Sequence, residues 1–226
     1  MAQSPQRHYV VRSVADMLAN TPQDRVYMTA VDGVDGAGKT TFADELASAL
    51  TANGKAVIRA SVDSFHNPSP VRYERGRHSP EGFFQDSYDY ESLKRNLLDP
   101  LRAGGSRRYR AAVFDTLSDT PIVVPESEAA MGSVLIFDGI FLHRKELRGY
   151  WDFSVFLDVA FDVSIPRGAQ RGWSFGLPDP AAPENRRYIE GQRIYMRECA
   201  PAQHATIVID NNDLAQPVIV RRRDRG

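Results

Sequence analysis

The most specific chemistry in this chain lies in residues 33–40, which read GVDGAGKT and fit the spacing G-x-x-x-x-G-K-[ST]. Glycines at positions 33, 36 and 38 let the backbone N–H groups of Asp35, Gly36, Ala37, Gly38, Lys39, Thr40 and Thr41 turn inward around a polyphosphate. A helix beginning near Lys39 aims its free N–H groups and positive end at the same anion. Lys39 reaches the β- and γ-phosphates, and the Thr40 hydroxyl is a ligand for Mg²⁺. A glycine-rich strand-to-helix turn with a surface lysine is the plainer alternative. The buried strand before the motif and the amphipathic helix after it favour the phosphate cradle. Residues 33–41 are therefore expected to bind ATP or GTP.

Two acids complete the chemistry. Asp138 follows the apolar run VLIF, which places a carboxylate at the carboxyl end of a strand, where a second Mg²⁺ contact belongs. Asp63 follows AVIRASV and is expected at the same sheet edge as Gly33. Ligands of parallel sheets bind at that edge. A carboxylate there can orient an acceptor hydroxyl in line with the γ-phosphate and take its proton. An N-K-x-D guanine reader is missing, which counts against a signalling GTPase. The length of 226 residues suits a small-molecule kinase better than a motor.

The segments GVDGAGKTTFADELA, VDSFH, FQDSYDY, FDGIFL and RYIEGQRIYMRECAP…ATIVIDN occur in the order of the uridine kinase family of P-loop kinases. Phosphoribulokinase and bacterial pantothenate kinase are relatives of that family. The resemblance spans about residues 26–212. It implies that Asp63 is the catalytic base, that Asp86 holds the sugar, and that Asp138 is the metal acid. It also implies that Arg167 and Arg171 are lid arginines closing over the phosphates to neutralise transition-state charge. Departures fall on the acceptor side. Phe114 and Asp119 stand where the family's base-reading motif has Tyr and His, and Arg187 stands where a Gln precedes the late-helix Tyr. Changed donors predict changed acceptor specificity. Two rivals are a thymidylate-type nucleotide kinase, whose D-R-Y/H run is missing, and a nucleotide-binding regulatory module without transfer activity.

These residues need a frame. Nearly all-apolar runs (RVYMTAVDG, AVIRASV, SVLIFDG, DFSVFLDV, ATIVIDN, PVIV) alternate with helical patterns (VVRSVADMLAN, TTFADELASALTANG, YESLKRNLLDPLRAG, VSIPRGAQRG, NRRYIEGQRIYMREC). Such alternation predicts an α/β fold, a P-loop NTPase with a doubly wound, mostly parallel sheet, helices on both faces and a small lid. One domain over 1–226 is expected, with an acceptor-side excursion at 64–86, a lid segment at 167–186 and a basic tail at 221–226. Residues 64–82 read as a long loop, and YRAAVFD and TPIVVPE as short strands.

A net charge of −1 gives no electrostatic case for nucleic acid. The single Cys199 excludes an internal disulfide framework. No run approaches membrane-spanning length, and the N-terminus lacks the apolar core of a signal peptide. The expected setting is cytoplasmic, with a small-molecule acceptor as partner and a homo-oligomer open. His66 is a candidate substrate contact. Arg72, Arg75, Arg77 and His78 form either a solvated, mobile loop or an anion site. Arg107, Arg108 and Arg110 read as a polar turn, His143 as a surface residue, and Trp151 and Trp173 as packing. DNND (Asp210 to Asp213) is placed beside the nucleotide base.

Overall fold

The structure is a computed structural model, and it describes residues 4–170 and 177–223. Arg171 and Trp173 therefore lie outside the described residues, as do parts of the expected lid and tail. Six strands form the central sheet: β1 (Tyr27–Gly33), β2 (Val57–Ser61), β3 (Val134–Gly139), β4 (Phe153–Asp158), β5 (Ile207–Asp210) and β6 (Val218–Arg222). Their order across the sheet is β6-β5-β4-β1-β3-β2. The first five in sequence run parallel, and β6 joins β5 antiparallel at the edge. The expected doubly wound, mostly parallel α/β architecture is thus present, with order reversing at β1.

Alternation along each strand divides the core. In β3, Leu135 and Phe137 point to one face, where they pack with Phe65, Phe83, Phe84 and Phe141. Val134 and Ile136 point to the other, against Val14, Leu18, Phe42 and Leu46. Successive strand residues face opposite ways, so a strand buried on both faces must be apolar throughout. The second face is covered by α1 (Pro5–Ala19) and α2 (Lys39–Ala52). The first is covered by α3 (Pro80–Asp86), a helical run through Leu101, and α5 (Arg186–Cys199). Between β4 and α5 lies α4 (Phe161–Gln170), which continues through Pro166.

The excursion after Asp63 differs from the expected long loop. It holds a short helix at Ser69–Arg72 and then α3. Pro80 is preset for the first helical turn, and the Ser79 hydroxyl caps the N–H of Gly82 at 3.0 Å. α3 packs tightly on α5 because Gly191 has no side chain. A Cβ there would lie 2.8 Å from both the Phe83 ring and the Pro80 carbonyl. The run from Tyr90 contains a π-helical stretch at Lys94–Leu98. Pro100 has no N–H to offer Asn96, whose carbonyl accepts instead from the N–H of Arg110 at 2.9 Å. The short strands pair as two ribbons outside the main sheet, Arg108–Tyr109 with Ser127–Glu128 and Phe114–Asp115 with Thr120–Pro121.

Candidate active site

The loop between β1 and α2 curls as its sequence requires. Gly36 and Gly38 take φ of +73° and +88°, a region L side chains rarely adopt. A Cβ on Gly36 would also lie 2.1 Å from the Ser164 carbonyl of α4. The loop therefore lies directly on α4. No side chain caps α2, so the free N–H groups of its first turn face the loop interior. The Lys39 ammonium donates to the Val34 carbonyl at 2.8 Å. Two further contacts fix the loop from outside, and a third residue braces them. Gln192 of α5 accepts from the Asp35 N–H at 2.6 Å. Asn211 donates to the Ala37 carbonyl at 2.7 Å. Buried Arg7 of α1 reaches Glu45 at 2.8 Å and Asn211 at 3.4 Å.

Register delivers the two acids. Ser61 of β2 lies opposite Asp138 of β3, and Val31 of β1 opposite Asp138 on the other side. Asp63 lies in the 3₁₀ turn just after β2. One cleft of about 200 Å³ is lined by Asp35, Lys39, Thr40, Asp63, Tyr88 and Asp138. The Thr40 hydroxyl donates to Asp138 at 2.8 Å, and Arg59 donates to the other Asp138 oxygen at 3.0 Å. Asp138 is almost fully buried, and losing the Arg59 partner of a buried carboxylate costs roughly 3–5 kcal/mol. The Tyr88 hydroxyl donates to Asp63 at 3.3 Å.

Asp35 is the electrostatic exception. One of its carboxylate oxygens is buried without a hydrogen-bond partner. Burial lifts its pKa to about 6, against the pull of Lys39 and with a push from Asp63. An orphaned acceptor beside a hydroxyl–carboxylate pair is an all-oxygen donor set. That set fits Mg²⁺, which takes one or two carboxylates and fills its octahedron with phosphate oxygens and water.

The acceptor-side residues are arranged around His66 and α3. His66 packs on Tyr88 with ring centroids 4.5 Å apart and planes tilted by 53°, and meets the Asp63 carbonyl at 2.9 Å. Its burial lowers its pKa. Asp86 pairs with Arg75 at 2.8 Å. Phe114 is buried. Asp119 accepts from the Ser69 N–H at 3.0 Å and from Arg72. Arg187 donates to the carbonyls of Arg77 and Arg72 and lies over the Tyr73 and Phe83 rings. Arg167 donates to the carbonyls of Asn211 at 2.9 Å and of Asn212. The P-loop, Asp63 and Asp138 thus share one cleft, whereas Asp86, Phe114, Arg167 and Arg187 do not line it.

His143 is a correction. It is buried, with Nδ1 2.6 Å from Asp32 and Nε2 3.0 Å from the Ser154 hydroxyl. Asp32 also accepts from the Tyr195 hydroxyl. A histidine directly after the apolar run Ile140–Leu142 gives no sequence sign of a partner 111 residues away. Trp151 does pack in the core, stacked on Phe137 at 5.7 Å. Arg59, Tyr88 and Gln192 are site neighbours that sequence reasoning did not single out. Tyr88 and Gln192 lie inside the quoted FQDSYDY and RYIEGQRIY segments, while Arg59 sits in a strand and carries no motif signal.

The same fold recurs in known proteins. A possible uridine kinase from Bacillus stearothermophilus has 22% identity over 88% of this chain and 96% of its own, with a TM-score of 0.70. A provisionally named fructose transport system kinase from Silicibacter sp. TM1040 has 25% identity over 84% and 94%, with a TM-score of 0.66. D-Glycerate 3-kinase from Cryptococcus neoformans has 12% identity over 96% and 99%, with a TM-score of 0.63. A search among curated proteins found no significant match. The sequence profile of the phosphoribulokinase/uridine kinase family matches residues 28–174. That span holds the P-loop, Asp63 and Asp138, and the chain belongs to this family of small-molecule kinases.

Proposed function

We propose that this kinase transfers the γ-phosphoryl group of ATP to a hydroxyl of a sugar-bearing small metabolite, a nucleoside or a relative of one. The observation that carries the reading is the shared cleft of Lys39, Thr40, Asp138 and Asp63. The P-loop amides and Lys39 hold the phosphates. Thr40 and Asp138 hold Mg²⁺, which offsets charge on the phosphate oxygens. Asp63 orients the acceptor hydroxyl and accepts its proton, and the Tyr88 hydroxyl fixes that carboxylate. Asp35 offers its orphaned oxygen to the metal's water shell or to the acceptor hydroxyl.

Acceptor choice follows from what is already engaged. Asp119 spends its carboxylate on Ser69 and Arg72, and Arg187 spends its guanidinium on two carbonyls. Neither is free to read a pyrimidine edge as a uridine kinase would, which favours recognition through hydroxyls. The test is an acceptor screen by ADP release over nucleosides, sugars, sugar phosphates, glycerate and pantothenate. One acceptor should stimulate release strongly, and Lys39→Ala should abolish it. Asp63→Asn should lower kcat about 10²- to 10⁴-fold with little change in KM for ATP. ATP binding with no acceptor-dependent release across the panel would favour the regulatory module. Wild-type turnover by Asp63→Asn would remove the base assignment.

A further inference from the structure

A second cavity, of about 590 Å³, opens at the start of β1 and β4 and is lined by Arg25, Arg148, His204, Arg223, His143 and Ser154, among others. The carboxylate lining it, Asp152, is engaged by Arg25 through both oxygens at 2.6 and 2.7 Å, and it also accepts from the Met28 N–H. Arg148, His204 and Arg223 come from three separate segments and converge with no carboxylate between them among the lining residues. Arg148 approaches His204 Nε2 at 3.1 Å. His204 is held to a lowered pKa by desolvation and by the surrounding charges of Arg148, Arg223 and Arg221. Assembling like charges in a concave site costs energy that an anion would recover.

The floor of this cavity connects to the P-loop. The Ser154 hydroxyl accepts from the Thr206 N–H at 3.2 Å and faces His143 Nε2 at 3.0 Å. His143 Nδ1 meets Asp32 at 2.6 Å, and Asp32 accepts from the N–H of Gly33, the first P-loop residue, at 2.8 Å. Ser154 pairs in register with Ala30, so the chain covers three residues, about 10 Å, of β1. Ser154 has one hydroxyl proton. If that proton turns to a ligand in the cavity, it leaves His143 Nε2, and the bond network around Asp32 must rearrange.

We propose that this cavity binds a phosphate-bearing metabolite and that its occupancy is coupled to the P-loop through Ser154, His143 and Asp32. Arg148 and Arg223 supply charge-assisted bonds to the phosphate oxygens and His204 supplies an N–H donor, and the volume suits a ligand up to nucleotide size.

The test is pyrophosphate binding by calorimetry at constant ionic strength. Wild type should show two events. Lys39→Ala should lose the P-loop event, and the double variant Arg148→Gln/Arg223→Gln should lose the other or weaken it at least about tenfold. Both arginines are exposed, so their replacement spares the core. Ser154→Ala should keep both events but make them independent, whereas in wild type filling one should change the affinity of the other about fivefold or more. An isotherm unchanged by the double variant would overturn the site. Independent events in wild type would overturn the coupling. An isotherm unchanged by Lys39→Ala would instead count against the P-loop reading, so the two failures are distinguishable.

Discussion

Replacing Asp35 with Asn tests the electrostatics of the cleft directly. In the folded protein burial lifts this carboxyl to about 6, while in the unfolded chain it titrates near its ordinary value of about 4. The folded pKa is raised, so the associated stability is fully present below the unfolded value and is lost as pH rises through the folded one. Two pH units at about 1.4 kcal/mol each give a penalty of about 3 kcal/mol above neutrality. An amide carries no such penalty. Asp35→Asn should therefore be more stable than wild type by about 3 kcal/mol at pH 8, narrowing to about 1 kcal/mol at pH 4.5. In a domain of this size the pH 8 difference corresponds to roughly 6–12 °C in Tm. Urea unfolding of ligand-free, chelator-treated protein at the two pH values measures it. A difference that does not change with pH, or a variant no more stable than wild type at pH 8, would refute the reasoning. The carboxylate would then have a partner in solution that the structure does not show.

Three further outcomes are expected. Asp138→Asn should raise the Mg²⁺ concentration needed for half-maximal ADP release about tenfold or more, with the ATP-analogue affinity measured without metal little changed. Gly191→Ala should push α3 from α5, because its new Cβ meets Phe83 and Pro80 at 2.8 Å. The expected loss is about 1–3 kcal/mol in denaturant unfolding, with a raised KM for the acceptor. Tyr195→Phe should cost about 1–3 kcal/mol, because Asp32 is wholly buried and loses a donor. Phosphate affinity should fall with stability if Asp32 also positions Gly33.

The family's fold was legible because its signals are local. All-apolar strands, period-3.6 helices and glycine spacing are read from a few consecutive residues. Asp63 and Asp138 were legible for the same reason, since an acid after an apolar run marks a strand's end and parallel strands gather their ends at one edge. The helices in 64–86 were less so. Their turns are short, and α3 gains its stability from packing on α5 more than 100 residues later.

The glycine loop between β1 and α2, the sheet and the positions of Asp63 and Asp138 follow from local sequence, because chain direction and side-chain period settle where those residues go. The raised pKa of Asp35 comes from tertiary packing, since it depends on what excludes water from the carboxyl. Tertiary packing also decided that His143 is buried between Asp32 and Ser154, and that the arginines at 72, 75 and 187 already hold partners. These are properties of pairs far apart in the chain. Sequence can name a group, but its charge and its partners are set by what folding brings beside it.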